Sequence, residues 1–237
     1  MFSIQAITFD LDDTLWDIGP VIVEAERNIY QWLSTHCPKV TERYSPADLQ
    51  QARAEVVCEY PKYSHDLSEL RWLALKKVLS ATGYDDSWVD RAFEQFMLLR
   101  NNVKLFPDAL PALETLAKSY PLASLTNGNA DLERIGINHH FSATITARDH
   151  GVAKPHRDIF FAACRALERE PREVLHIGDS PEHDVLGAAR SGLRTVWLNR
   201  RGDTWQHPEK ADLEAADLNE VLQYLKLKPA GWYGPDN

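Results

Sequence analysis

The chain has 237 residues, of which 44% are hydrophobic and 26% charged, so it can bury a core as one large domain or two smaller ones. Its formal net charge of −9 argues against broad nucleic-acid binding, because such binding needs a basic surface. The cysteines Cys37, Cys58 and Cys164 lie far apart and form no zinc-ligand pattern, which predicts free thiols. Because it shows neither a signal-peptide pattern nor an apolar membrane span, the sequence predicts a cytoplasmic protein.

The first predicted element is a short hydrophobic strand over residues 4–9, rich in β-branched and aromatic side chains. Three carboxylates follow it directly: Asp10, Asp12 and Asp13. In extended backbone the side chains of Asp10 and Asp12 project to the same side. Because like charges resist crowding and desolvation, we expect a compensating cation, and Mg²⁺ prefers hard oxygen ligands of this kind. A solvated acidic turn is the structural alternative.

The next stretch, from about residue 20 to residue 102, shows helical periodicity and no convincing strand. It predicts four helices. The start of the second helix is marked by Ser45 as N-cap, Pro46 at the first helical position and Asp48 three residues after the cap. Four helices can bury a core of their own. We therefore predict a helical-bundle cap domain over residues 17–103, inserted into a core made of residues 1–16 and 104–237.

Beyond residue 104, predicted helices alternate with strands at about residues 122–126, 143–146, 173–177 and 195–198. Strands separated by helices of this length are typical of βαβ units, and the first strand needs partners of its own. The sequence therefore predicts an α/β fold with a Rossmann-like, doubly wound parallel sheet. Residues 228–237 are predicted to form a loosely ordered tail.

Several predicted strands end in residues that can carry chemistry. In an open α/β sheet, ligands bind beyond the carboxyl ends of the strands. The candidates at or near these ends are Asp10, Asp12, Thr14, Thr126, Asn127, Lys154, Asp179 and Asp184. Carboxylates, an amine, a hydroxyl and backbone N–H groups suit phosphoryl transfer, which depends on positioning and charge neutralisation.

Each of these candidates also has a purely structural interpretation. Thr126 could be an ordinary β-branched strand residue, and Asn127 could belong to an ordinary turn. Lys154 could be a solvated loop lysine, and Asp184 an acid favoured by a helix dipole. The order of the motifs favours the functional interpretation, because independent coincidences in this order are improbable. We interpret His176, which lies on a predicted strand, as a core residue and not as a ligand.

The segments Asp10-Leu11-Asp12-Asp13-Thr14, Thr126, Lys154-Pro155 and Gly178-Asp179-x-x-x-x-Asp184 resemble, in this order, the motifs of the haloacid dehalogenase superfamily of phosphohydrolases. The resemblance extends along the whole chain. The helical block between the first two motifs resembles the C1-type cap of one subclass. The resemblance implies a Rossmann-like core, Mg²⁺ as cofactor and a cap that sets specificity by closing over the site.

The resemblance also implies roles for individual residues in catalysis. Asp10 attacks phosphorus and forms an aspartyl-phosphate. Asp12 protonates the leaving alkoxide and then deprotonates the hydrolytic water. Lys154 neutralises the phosphate and the Asp10 carboxylate, while Thr126, Asn127 and nearby backbone N–H groups bind the phosphate oxygens.

For the metal, the resemblance implies that Mg²⁺ is bound by Asp10, Asp179 and the backbone carbonyl of Asp12. Asp184 then braces either the metal site or Lys154. Two residues of the first motif have supporting interpretations. Thr14 shapes the loop after the first strand, and Trp16 either stacks on the substrate or packs at the crossing into the helical block.

The acid at Asp12 favours phosphate esters over haloacids, because an alkoxide leaving group needs a proton and a halide does not. A haloacid dehalogenase and a non-catalytic module that binds phosphorylated metabolites are the alternatives. Residues 9–17 and 125–130 resemble bacterial phosphatases of riboflavin metabolism, which implies flavin mononucleotide or a phosphoribitylamino-pyrimidine as substrate. We expect a small phosphorylated metabolite as partner, neither nucleic acid nor membrane, and a monomer or homodimer.

Overall fold

The computed structural model describes residues 3–227 and contains a six-stranded parallel sheet. Its strands are β1 (Ala6–Phe9), β2 (Leu122–Thr126), β3 (Ala143–Thr146), β4 (Val174–Gly178), β5 (Arg194–Leu198) and β6 (Leu213–Ala215). Their spatial order is β3-β2-β1-β4-β5-β6, so the chain builds outward from β1 in both directions. This arrangement confirms the predicted Rossmann-like α/β fold, with the point of reversal between β1 and β4.

The chain divides into two compact units. The sheet unit comprises residues 3–17, 104–128 and 136–227, and the helical unit comprises residues 18–103 and 129–135. The helices of the helical unit are α1 (Ile18–His36), α2 (Pro38–Arg43), α3 (Pro46–Glu59), α4 (Leu67–Ser80), α5 (Asp86–Arg100) and α7 (Leu132–Ile135). Those of the sheet unit are α6 (Ala109–Leu116), α8 (Ala147–His150), α9 (Arg157–Ala166), α10 (Gly187–Arg190) and α11 (Leu218–Tyr224).

Each unit has a hydrophobic core of its own. In the sheet unit, every residue of β1, β2 and β4 is buried, as expected for central strands of a parallel sheet. Helix α9 packs its apolar face on this sheet through Ile159 and Phe160. In the helical unit, Leu33 of α1, Leu79 of α4 and Phe96 of α5 lie in one buried cluster, so these helices bury a shared interior.

The helical unit contains the four long helices that the periodicity predicts, as α1, α3, α4 and α5, and it differs from the prediction at two places. At the start of α3, Asp48 donates its backbone N–H to Oγ of Ser45 and accepts the Ser45 backbone N–H in return, as the capping pattern predicts. The short helix α2, which begins at Pro38, was not predicted. Residues 129–135, which the sequence analysis places in the core domain, group with the helical unit.

The sheet unit also differs from the sequence prediction at two elements. Strand β6 was not predicted, because it has only three residues and carries an acidic side chain at Glu214. The helix that carries Asp184 begins with a π-helical turn over Pro181–Leu186, which helical periodicity does not predict, and continues into α10. Within residues 3–227, no helix is long and apolar enough to cross a membrane. The predicted tail at 228–237 lies outside the described residues.

Candidate active site

The loop after β1 holds the first group of candidate residues in a tight turn. The backbone N–H of Asp10 still bonds to the carbonyl of Ile177 on β4, at 2.9 Å, so Asp10 is fixed at the edge of the sheet. The turn closes where the backbone N–H of Asp13, at φ +62°, donates to the carbonyl of Trp16. The hydroxyl of Thr14 lies 3.4 Å from Oδ2 of Asp10 and 3.3 Å from Oδ1 of Asp179. Thr14 therefore sits between the two carboxylates.

Lys154 occupies the centre of the site and is only 3% exposed. Its Nζ lies 2.5 Å from Oδ1 of Asp10 and 2.6 Å from Oδ1 of Asp184. Its backbone is held by the side chain of Asn127, which donates to the Lys154 carbonyl at 3.0 Å and accepts the Lys154 N–H at 2.7 Å. The residue after β2 thus places the lysine, which is a structural function that the sequence analysis did not assign to it.

The carboxylate of Asp184 occupies space that a side chain at Gly178 of β4 would fill. Gly178 ends this strand, and a Cβ atom there would lie 2.3 Å from Cγ of Asp184, so any other residue would displace the carboxylate. The backbone N–H of Ser180 donates to Oδ2 of Asp184 at 3.0 Å. Nε2 of His176 lies 3.1 Å from Oδ1 of the same carboxylate. His176 is fully buried, as predicted for a core residue, and Gly178 belongs to the fourth motif of the sequence. Their contacts with Asp184 were not predicted, because they depend on the fold and have no local signal in the sequence.

The two remaining candidates are Asp12 and Thr126, which lie at the carboxyl ends of the neighbouring strands β1 and β2. Both take part in local hydrogen bonds. The indole N–H of Trp16 donates to Oδ1 of Asp12 at 2.8 Å. Trp16 is fully buried, so it packs beside the loop and does not present a free face for stacking. The hydroxyl of Thr126 accepts the backbone N–H of Gly128 at 2.9 Å, which shapes the turn after β2.

Burial and crowding set the electrostatics of the cluster. Burial raises the pKa of Asp10 well above its usual value, and the neighbouring carboxylates add to this effect. Burial likewise raises the pKa of Asp179 to about 6, helped by the charge of Asp184. Burial opposes ionisation of Asp184 as well, but Lys154 and the hydrogen bond from His176 hold the pKa of Asp184 below its usual range. Burial also acts against the charge of Lys154, yet its two carboxylate partners raise the pKa of this lysine.

The donor set fits a divalent cation. One carboxylate oxygen from each of Asp10, Asp179 and Asp184 lies within 4.8 Å of the other two. Asp184 is already engaged by Lys154, His176 and Ser180, whereas Asp10 and Asp179 carry the raised pKa values that a nearby cation would lower. One buried and one partly buried carboxylate, at Asp10 and Asp179, are the type of oxygen ligands that Mg²⁺ takes in proteins.

The comparisons with known proteins agree with this geometry. The family model of haloacid dehalogenase-like hydrolases matches residues 4–192. The 5-amino-6-(5-phospho-D-ribitylamino)uracil phosphatase YigB of Escherichia coli K12 is 32% identical over 228 residues, covering 94% of this chain and 92% of that protein.

Two solved structures have the same fold as this chain. A crystal structure of 2-haloacid dehalogenase from Pseudomonas syringae pv. tomato DC3000 is 36% identical with a TM-score of 0.88, over 94% of this chain and 98% of that one. A HAD phosphatase from Thermococcus onnurineus is 26% identical with a TM-score of 0.69, over 96% and 100% of the two chains. The resemblance seen in the sequence motifs is thus confirmed over most of the chain, and the chain belongs to the haloacid dehalogenase-like hydrolase family.

Proposed function

We propose that this chain is a Mg²⁺-dependent phosphoric monoester hydrolase that acts through an aspartyl-phosphate at Asp10. The observation that carries the proposal is the buried ammonium of Lys154, 2.5 Å from Asp10 and 2.6 Å from Asp184 at the carboxyl edge of the sheet. A carboxylate nucleophile beside a fixed cation suits attack on a negatively charged phosphoryl group. The phosphatase from Escherichia coli, 32% identical over most of both chains, supports the same reaction class.

In the first step, a carboxylate oxygen of Asp10 forms a bond to phosphorus while the bond between phosphorus and the ester oxygen breaks. Asp12 gives its proton to that oxygen, which leaves as an alcohol. Lys154 offsets the charge shared by the nucleophile and the phosphoryl group. Thr126, Asn127 and the backbone N–H groups of their turn bind the phosphoryl oxygens.

In the second step, the ionised Asp12 takes a proton from water, and the water oxygen attacks phosphorus. The bond between phosphorus and Asp10 breaks, which releases inorganic phosphate and restores both carboxyl groups to their starting states. The indole N–H of Trp16, 2.8 Å from Oδ1 of Asp12, keeps this carboxyl group in one orientation during both proton transfers.

The metal site consists of the carboxylates of Asp10 and Asp179 together with the backbone carbonyl of Asp12. When bound there, Mg²⁺ supplies positive charge that favours ionised Asp10 and neutralises a substrate phosphate. Asp184 braces Lys154 in this scheme, and Thr14 keeps its hydroxyl between the two metal-binding carboxylates.

For the substrate, we propose a phosphoribityl compound of the riboflavin pathway or flavin mononucleotide, since the phosphatase YigB acts on 5-amino-6-(5-phospho-D-ribitylamino)uracil. Residues 17–103 form the cap that selects the ester, and the sheet unit carries the chemistry. The cysteines Cys37, Cys58 and Cys164 are free, which supports a reducing, cytoplasmic location. The proposed oligomeric state is a monomer or a homodimer.

Dehalogenation is the second candidate function, because the 36% identical structure from Pseudomonas syringae is that of a 2-haloacid dehalogenase. In that reaction Asp10 would attack carbon and displace a halide. A halide leaves as an anion and needs no proton, so Asp12 would have no role as an acid. Asp12 therefore distinguishes the two functions.

The test measures phosphate release from a panel of monoesters and halide release from 2-chloropropionate, for the wild type and for Asp12→Asn. We expect Mg²⁺-dependent phosphate release from the wild type, greatest with the phosphoribityl compound, and a loss of at least about a hundredfold in Asp12→Asn. Halide release that persists in Asp12→Asn, without phosphate release from any ester, would overturn the proposal in favour of dehalogenation. Circular dichroism confirms that the variant is folded.

A further inference from the structure

His176 is a fully buried titratable residue that the proposed mechanism does not use. We propose that His176 is a positioning residue: its neutral ring donates Nε2–H to Asp184 and so keeps Lys154 beside Asp10. The effect on catalysis rests on the proposed function of Lys154. The hydrogen bonds of His176 are independent of that proposed function, because they follow from the geometry of β1 and β4.

The sheet register places the residues of this arrangement. Thr8 of β1 and His176 of β4 are directly paired partners in the parallel sheet. Because alternate residues of a strand share a face, Thr8 lies on the face of Asp10, and His176 lies on the face of Gly178. The missing side chain of Gly178 leaves the space that Asp184 occupies. His176 therefore lies on the same face of β4 as the carboxylate of Asp184 and next to it.

The partners of the ring determine its tautomer. The ionised carboxylate of Asp184 can only accept hydrogen bonds, so Nε2 of His176, 3.1 Å away, must carry the proton. In the neutral ring Nδ1 then accepts, and the hydroxyl of Thr8, 2.8 Å away, donates to it. Burial lowers the pKa of His176, and the nearby charge of Lys154 also acts against a second cation. The edge contact with Phe160, at 5.3 Å between ring centres, closes another side of the ring.

The bond from His176 has a consequence for Lys154 because the two residues share one acceptor atom. Oδ1 of Asp184 accepts from Nζ of Lys154 and from Nε2 of His176, and Oδ2 accepts from the backbone of Ser180. These donors hold the carboxylate on both oxygens. Without the histidine N–H, the carboxylate can rotate, and Lys154 loses its fixed anchor opposite Asp10.

The first test is a long-range proton–nitrogen NMR spectrum of the wild type at pH 7, with the His176 signals assigned by their absence in His176→Gln. We expect a protonated Nε2 and an unprotonated Nδ1. A protonated Nδ1, in either the other tautomer or the cation, would overturn the proposal. This measurement needs no catalytic turnover, so its outcome is separate from that of the proposed phosphatase activity.

The second test compares kcat and KM of His176→Leu, His176→Gln and Leu175→Ala. Loss of the N–H in His176→Leu should lower kcat by about tenfold to a hundredfold, with a smaller change in KM. The amide of His176→Gln can still donate to Asp184 and should recover most of that loss. Leu175→Ala truncates a fully buried neighbour on the other face of β4, so it should lower Tm and leave kcat unchanged. A folded His176→Leu with wild-type kcat would overturn the positioning role.

Discussion

The ammonium nitrogen of Lys154 lies 2.5 Å from Oδ1 of Asp10, although the two residues are 144 positions apart in the chain. Both side chains are buried, so neither charge can be satisfied by water if the other is removed. We expect Lys154→Met to lower the free energy of unfolding by about 3 kcal/mol without metal, because it leaves buried carboxylates without their cation. Phosphate release should fall at least about a hundredfold.

The measurements for Lys154→Met are a urea titration of the metal-free protein at pH 7 and initial rates with Mg²⁺. Lys118→Met, at an exposed lysine of the sheet unit, is the matched control and should change neither quantity. Wild-type rates in folded Lys154→Met would contradict the role given to this lysine.

The side chain of Trp16 donates a hydrogen bond from its indole N–H to Oδ1 of Asp12. Trp16→Phe keeps an aromatic ring in the buried position and removes the donor. Asp12 becomes a carboxylate as it gives up its proton, and a hydrogen bond to a charged group contributes about 1.5–3 kcal/mol, so we expect kcat to fall by about tenfold or more. KM should change less, since Asp12 acts on the leaving group.

The control for Trp16→Phe is Trp72→Phe in the helical unit. Trp72 donates its indole N–H to Oδ1 of Asp90 at the same distance, 2.8 Å, so this change removes the same type of bond elsewhere. Steady-state kinetics of both variants separate the two cases. Equal kcat values in the two variants would mean that the orientation of Asp12 does not depend on Trp16.

Arg200 and Asp108 form an ion pair in the sheet unit that should make stability depend on pH. Nη1 and Nη2 of Arg200 lie 3.1 Å and 2.9 Å from the two oxygens of Asp108, and the Leu218 N–H donates to Oδ2 at 2.7 Å. Burial acts against ionisation, but these donors prevail and lower the pKa of Asp108. A lowered pKa in the folded state adds stability above the pKa of the unfolded chain, about 3.9, and this stability is lost as the pH falls through the folded value.

We therefore expect Asp108→Asn to reduce the free energy of unfolding by about 2 kcal/mol at pH 7. Urea titrations at a series of pH values should show the difference from wild type shrinking below about pH 4. Glu209→Gln breaks the exposed pair with Arg190 and should leave stability unchanged at pH 7. A difference for Asp108→Asn that is the same at every pH would contradict the ion-pair account.

Local sequence signals predicted much of the fold. Strands β2 and β3 match the predicted strands residue for residue, and the cap at Ser45 appears as the pattern indicates. Strand β6 escaped prediction because three residues are too few for a pattern, and its strand character comes from pairing with β5. The grouping of residues 129–135 with the helical unit was not predicted, because it depends on contacts with helices that are distant in the sequence. The residues of the segment itself carry no pattern that indicates these contacts.

The candidate site shows the same division between local and distant information. The motif carboxylates and Lys154 could be predicted because their order and spacing are unusual. The contribution of His176 could not, since it depends on the pairing of β1 with β4 and on the space above Gly178. Asn127 was predicted as a phosphate-binding residue, and its bonds to the backbone of Lys154 appear only in the folded chain.

Asp179 should destabilise the metal-free protein and stabilise the protein that binds Mg²⁺. Burial and the charge of Asp184 raise its pKa to about 6, so its ionised form has a cost in the folded state at pH 8. We expect Asp179→Asn to be more stable than wild type by about 1–2 kcal/mol in EDTA at pH 8. Added Mg²⁺ should raise the Tm of the wild type and leave that of the variant unchanged. Equal Mg²⁺ shifts in both proteins would contradict the metal site.

The covalent step at Asp10 can be measured in an acid-quenched reaction with a radiolabelled phosphate monoester and Mg²⁺, followed by peptide mapping. We expect label on the peptide that contains Asp10 in the wild type. We expect neither label nor phosphate release in folded Asp10→Asn. Phosphate release by Asp10→Asn at the wild-type rate, with no label on that peptide in the wild type, would contradict the covalent step.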